Sequence, residues 1–210
     1  MPLIFQQEFP DYEIAVWKIS EEEIFFEEKL LLSDEEKIFL QNIKAPNKRL
    51  QWLASRHLIR VLLKTDLFID SNFKQRGKPQ LLSHKKEISI SHTDDVCAVI
   101  MSETKRVGVD IEPEYRDVSS IAHKFISEEE KQNRELTNEE NLFIWCAKEA
   151  LFKLYARGEV SFQNDLHVQL PELKTEGTAK AKICKPDFNI SLEMNYRFLE
   201  EGYLLSWCFF

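Results

Sequence analysis

Two carboxylates separated by one residue, Asp110 and Glu112, lie in the run Val107-Gly108-Val109-Asp110-Ile111-Glu112. Strand side chains alternate between faces. In a β-strand, Val107, Val109 and Ile111 therefore turn toward a core, while Gly108, Asp110 and Glu112 share the other face. The carboxylates then stand about 7 Å apart and repel unless positive charge lies between them. A hard cation such as Mg²⁺ takes oxygen ligands and keeps waters that a phosphate can replace, so it suits that place. Gly108, lacking a side chain, would let a ligand come close to the backbone beside the ion. A bare Asp-x-Glu is more commonly a solvated acidic face.

A second group is Trp145-Cys146-Ala147-Lys148-Glu149-Ala150-Leu151-Phe152-Lys153. On a helix Glu149 and Lys153 stand one turn apart, flanking the apolar stripe of Leu142, Cys146, Ala150 and Leu154. Such a pair is commonly a surface contact worth about 0.3–0.5 kcal/mol. Its functional reading gives the ion a third carboxylate, Glu149, and sets Lys153 against a diphosphate. Lys148 points elsewhere, either to a separate phosphate or to solvent.

Ser91 and His92 sit where a strand enters a turn and offer a hydroxyl and an imidazole to phosphate oxygens. Arg49, Arg56 and Arg60, spaced seven and four, fall on one arc of a helix. Such a row can grip a phosphate monoester or form a solvated face, and Arg60 fits the solvated reading. Lys78, in Arg76-Gly77-Lys78-Pro79, is a further cation in a turn. Together these are three carboxylates for a metal and several cations for a ligand carrying a diphosphate and a phosphate monoester.

The elements that must position them follow from the residue pattern. Tyr12 to Ile19 alternates as a first strand. Ser33-Asp34-Glu35-Glu36 opens a helix with a cap and first-turn acids. Lys48 to Lys64 repeats apolar residues at helical spacing. Glu87–His92 and Val96–Met101 flank Thr93-Asp94-Asp95 as a hairpin, and Val107–Glu112 is the next strand, halted by Pro113. Ser127-Glu128-Glu129-Glu130 begins another helix, Asn138 to Arg157 is a long one closed by Gly158, and Phe188–Phe198 with Tyr203–Phe209 forms a last hairpin. Strand, helices and hairpin thus occur twice. The reading is an α+β fold of two similar halves, residues 1–105 and 106–210, the second carrying the acidic motifs.

Composition narrows the function classes. The 210 residues include 15 Phe and 4 Trp and carry a net charge of −8, a globular balance without the broad basic surface of a nucleic-acid binder. Four scattered cysteines form no zinc or CxxC spacing and read as reduced thiols. No apolar run reaches the length of a membrane span, and Met1-Pro2-Leu3-Ile4-Phe5 turns polar too soon for a signal peptide. The expectation is a cytoplasmic protein with no nucleic-acid or membrane partner.

Trp52-Leu53-Ala54-Ser55-Arg56, Gly77-Lys78-Pro79, Ile90-Ser91-His92-Thr93, Gly108-Val109-Asp110-Ile111-Glu112 and Trp145-x-x-Lys148-Glu149-Ala150-x-x-Lys153 occur in this order. Phe125-Ile126-Ser127 with Glu130 lies between the last two. In these pieces the chain resembles the 4'-phosphopantetheinyl transferases of the surfactin-synthetase-activating type. The resemblance implies two pseudo-symmetric α+β halves with coenzyme A in the cleft between them, and a monomer. It implies Mg²⁺ on Asp110, Glu112 and Glu149, with Lys153, Ser91 and His92 at phosphates. Lys78 with Arg49 or Arg56 would lie toward the adenosine end. The reaction it implies moves phosphopantetheine from coenzyme A to a serine of an apo acyl- or peptidyl-carrier protein and releases 3',5'-ADP. Glu149 is the first candidate for the proton acceptor and Glu130 the second, and Lys44, Lys48 and Arg49 form a candidate carrier-docking patch. A metal-dependent diphosphate hydrolase, a non-catalytic coenzyme A or carrier-binding module and a scaffold domain remain as alternatives.

Overall fold

The computed structural model describes residues 2–69, 71–72, 78–82, 84–131 and 133–210. Of the expected turn at 76–79, Arg76 and Gly77 lie outside the described residues. The chain divides into two compact units, residues 1–105 and 106–210.

The N-terminal unit contains β1 (Leu3–Glu8), β2 (Glu13–Lys18), α1 (Glu23–Lys29), α2 (Asp34–Asn42), α3 (Pro46–Leu63), β3 (Ser71–Asn72), β4 (Gln80–Leu81), β5 (Glu87–Thr93) and β6 (Val96–Ser102). Its strands form one antiparallel sheet in the order β1–β2–β6–β5–β4–β3. Helix α3 starts with Pro46 in its first turn, where the missing N–H costs nothing. It buries Leu53, Ala54, Leu58, Ile59 and Leu62 in one cluster with Ala15, Trp17, Ile88, Cys97 and Val99 of the sheet. The expected cap at Ser33 is a full capping box: its hydroxyl accepts from Glu36 N at 3.1 Å, and Glu36 accepts from Ser33 N at 3.1 Å. Strands β5 and β6 join through Asp94 and Asp95, with Thr93 paired to Val96 and Asp94 at φ 37°. Gln51 of α3 donates to Asp94 O at 2.8 Å and ties the turn to the helix.

The C-terminal unit contains β7 (Val107–Pro113), a 3-10 turn (Ser119–Lys124), α4 (Glu128–Lys131), α5 (Asn138–Tyr155), β8 (Leu166–Val168), β9 (Glu176–Lys185), β10 (Phe188–Leu199) and β11 (Tyr203–Phe209). Its antiparallel sheet runs β7–β11–β10–β9–β8. Helix α5 lies across it, against β7, β11 and β8. Both units thus set helices on an antiparallel sheet, an α+β fold of two similar halves. Thr137 caps α5 in a second capping box. The helix closes at Ala156 in the left-handed region (φ 48°), two residues before the expected Gly158.

Two features fix α5 on the sheet. Gly108 is one. A Cβ built there would lie 2.1 Å from Ala150 O and 2.9 Å from Leu154 N, so the absent side chain admits the helix backbone. The expected ligand approach at Gly108 is thereby corrected: α5 fills that space. The other is a closed polar knot. Lys148 is fully buried and donates to Phe125 O at 2.6 Å, Glu130 Oε2 at 2.7 Å and Phe162 O at 2.8 Å. Glu130 Oε2 also accepts from Ser127 N and Oγ, and Oε1 accepts from Val168 N at 2.9 Å. Lys148 is therefore neither a solvated cation nor a free phosphate contact, because three acceptors replace its water.

Gly108→Ala should destabilise the full chain by about 3 kcal/mol or prevent folding, because the helix backbone cannot yield to a Cβ; urea denaturation measures this. Lys148→Met should cost about 3–5 kcal/mol by leaving Glu130 buried without its cation. Lys148→Met with Glu130→Gln should regain part of that loss.

Candidate active site

Strand β7 presents Gly108, Asp110 and Glu112 on one face by its two-residue repeat, and Gly108 packs directly on α5. The other two side chains of that face therefore meet the same helix. Trp145, Glu149 and Lys153 follow one another four apart along α5, a single row on its surface. Lys153 Nζ lies 2.7 Å from Asp110 Oδ1, and Trp145 Nε1 donates to Glu112 Oε1 at 2.8 Å. Glu149 occupies the turn between them. Asp110 and Glu112 are buried, whereas Glu149 and Lys153 stay half-buried at the rim. The expected alternation is thus present, but the acidic face lies under the helix rather than in solvent.

Glu112 is held twice more. Arg116 Nη1 donates to both its oxygens, at 2.7 and 2.6 Å. Burial and the charge of Asp110 still push the Glu112 carboxyl above its usual range, although the Arg116 and Trp145 hydrogen bonds oppose this. Burial, and then the charge of Asp110, push Glu149 up to about 7; Lys153 and Arg116 offset part of the rise. A carboxyl so placed exchanges its proton near neutrality.

The oxygen donors of Asp110, Glu112 and Glu149 have the chemistry a hard divalent cation requires. Among the described residues, no three His, Cys, Asp or Glu side chains are already grouped around one point as ligands. Asp110 is paired with Lys153 and Glu112 with Arg116. In its chemistry the donor set fits such an ion.

The other expected site residues have definite places. Glu130, the second candidate base, has both oxygens engaged in the Lys148 knot. Lys148 and Glu149 leave α5 about 100° apart, so the knot and the carboxylate row occupy different sides of the helix. The remaining residues belong to the N-terminal unit. Arg49 is bound to Glu23 at 2.7 Å and donates to Leu40 O. Arg56 is buried, with its guanidinium carbon 3.2 Å from the Trp52 ring centre and its Nε 3.5 Å from Glu36; burial pulls it down to about 9, against the charge of Glu36. Arg60, expected in solvent, is 8% exposed and lies 3.5 Å from Asp66. Each arginine of the arc is thus paired with an acid of a preceding or following segment. Lys78 pairs with Glu87 at 2.6 Å. Neighbours on a strand point oppositely, so Ser91 is buried while His92 is exposed.

Sequence reasoning gave no role to Trp145 or Arg116. Trp145 stood in the quoted motif, and its indole N–H is a donor at a fixed helical spacing from Glu149. Arg116 carries the Glu-x-x-x-Arg spacing from Glu112, but Pro113 removes the helical context that makes that spacing meaningful.

The family model of the 4'-phosphopantetheinyl transferase superfamily matches residues 106–208, which hold the β7–α5 arrangement and nearly all of its sheet. A Haemophilus influenzae protein named "Putative 4'-phosphopantetheinyl transferase" is 30% identical over 133 residues, 57% of this chain and 55% of its own. The chain thus covers little more than half the length of that curated relative. No helix among the described residues is long and apolar enough to cross a membrane. With Asp110 and Glu112 on β7 set against Glu149 and Lys153 on α5, the segment that carries the candidate site is the one that matches the 4'-phosphopantetheinyl transferase superfamily.

Proposed function

We propose that this protein transfers the 4'-phosphopantetheine arm of coenzyme A to a serine of an apo acyl- or peptidyl-carrier protein, releasing 3',5'-ADP, with Mg²⁺ as cofactor. The observation that carries this reading is the convergence of Asp110 and Glu112 with the row Trp145, Glu149 and Lys153. Three carboxylates beside a lysine suit a phosphoryl centre better than a purely structural contact, because burial there raises the carboxyls of Glu112 and Glu149, the latter to about 7.

Asp110, Glu112 and Glu149 would hold the Mg²⁺ ion, which when bound offsets and orients the charge of the diphosphate. Lys153 reaches from the rim and can exchange Asp110 for a phosphate oxygen of the leaving side. Glu149 sits at the solvent edge with its proton affinity near neutrality, and it accepts the proton of the attacking serine. Glu130 is tied into the core and supports α5 from behind. On the N-terminal unit, Ser91, His92 and Lys78 supply hydroxyl, imidazole and ammonium groups for the remaining phosphates of coenzyme A. Arg49 or Arg56 would serve there, each by giving up its present acid, Glu23 or Glu36. Lys44 and Lys48 are exposed and form the basic part of the carrier-docking surface. The reading is that of a monomeric cytoplasmic enzyme.

The full chain, incubated with coenzyme A, Mg²⁺ and a panel of apo carrier proteins, should add one phosphopantetheine to the carrier serine, seen by intact mass. Glu149→Gln should slow this by about 10²-fold or more, the range expected for loss of a general base, and Asp110→Asn should do likewise. Release of 3',5'-ADP at the same rate without carrier would identify a hydrolase instead.

A further inference from the structure

Glu112 is a buried carboxylate, its side chain 7% exposed, yet the cation that neutralises it is 42% exposed. This differs from the Lys148–Glu130 pair, where both partners are enclosed, at 0% and 5%. The Arg116 backbone is fixed: its N–H donates to Pro113 O at 3.0 Å, and its carbonyl accepts from Asn138 Nδ2 at 3.1 Å. Its side chain can therefore leave Glu112 for water with the turn in place, giving up besides the Glu112 bonds a contact of 5.8 Å with the Trp145 ring. Glu112 Oε1 also serves Trp145, whereas Oε2, among the described residues, accepts from Arg116. Burial lowers the proton affinity of the Arg116 guanidinium, but its hydrogen bonds to Glu112 and the charges of Glu112, Asp110 and Glu149 more than offset this. Arg116 thus lies in the field of all three carboxylates. Because Arg116 donates to both Glu112 oxygens, a divalent cation bound to Glu112 would compete with the guanidinium for the same lone pairs and meet its like charge at close range.

We propose that Arg116 is a displaceable counter-ion of the carboxylate cluster, holding Glu112 while no metal is bound and swinging into solvent when a divalent cation takes its place. The proposal rests on the reading that Asp110, Glu112 and Glu149 bind such an ion. In this arrangement the protein's own arginine keeps two buried carboxylates from repelling each other and pre-sets the ligand side chains. It also sets the ion's apparent affinity, because every binding event must expel it. Arg116 acts through Glu112 and is a positioning residue.

The test is Mn²⁺ binding to the full chain without coenzyme A, followed by the free-ion signal in electron paramagnetic resonance. Arg116→Gln should bind Mn²⁺ about tenfold more tightly than the native chain, and Arg116→Lys, which keeps the charge on a different geometry, should fall between them. Arg134→Gln serves as the control for a general charge effect, since Arg134 is paired to Glu140 elsewhere in the same unit; its affinity should match the native value. A purely structural Arg116 predicts the opposite sign, because a disordered Glu112 would bind the ion more weakly. Unchanged or weaker binding by Arg116→Gln overturns the proposal while leaving the metal site standing. Native-like binding by both Glu112→Gln and Glu149→Gln overturns the metal site itself, and the counter-ion role with it.

Discussion

The contact between Gly108 and the α5 backbone is the constraint on which the candidate site depends. Without a Cβ, β7 can approach Ala150 and Leu154 as closely as backbone atoms allow. That approach brings Asp110 and Glu112, the next residues on the same face, within reach of side chains on the helix. Any larger residue would hold the helix off and leave the carboxylates facing a gap. The tight packing also removes water from their surroundings, which is the chief cause of the raised proton affinity at Glu112 and Glu149. One absent side chain therefore governs both the geometry and the electrostatics.

The cations of the C-terminal unit fall into two kinds. Lys148 is enclosed and saturated, bound to one carboxylate and two carbonyls. Removing either partner strands a buried charge, so the knot resists change and anchors α5 to the segment around Phe125 and to β8. Lys153 and Arg116 are placed at the rim, each with a carboxylate on one side and solvent on the other. Their bonds can be exchanged at far lower cost. Rigidity behind the helix and exchangeable charge in front are what a phosphate-handling site requires. In the N-terminal unit Arg56 and Glu36 follow the enclosed pattern, whereas the Arg49–Glu23 pair is part-exposed and Arg60 meets a fully exposed Asp66. Their row along the helix is part of the packing of α1 and α2 as much as a ligand surface.

Much of this was legible in the residues. The capped helix start at Ser33, the β5–β6 hairpin and the long α3 and α5 helices all rest on local signals: a side-chain oxygen at a helix start, a short polar turn, an apolar stripe. Elements without such signals were not legible. Helix α1 is seven residues long with no side-chain cap, and it places Phe26 in the same buried cluster as α3. Strand β9 turns Ala179 and Ala181 inward, so its alternation is between small and polar residues and has little hydrophobic contrast. Strand β1 buries Phe5 and leaves its last three residues exposed.

The sequence by itself determined which side chains share a face: Asp110 with Glu112 by the strand's period, and Trp145, Glu149 and Lys153 by the helix's. Those are consequences of local geometry and need no partner. Only the tertiary structure decided what each face meets, since that depends on segments distant in the chain. It put the helix, rather than a ligand, over Gly108. It enclosed Lys148 and Arg60, which local spacing left free to be solvated, and it set Arg116 on Glu112 across a proline that breaks the helical spacing. Charge and burial are long-range properties, and no short run of residues contains them.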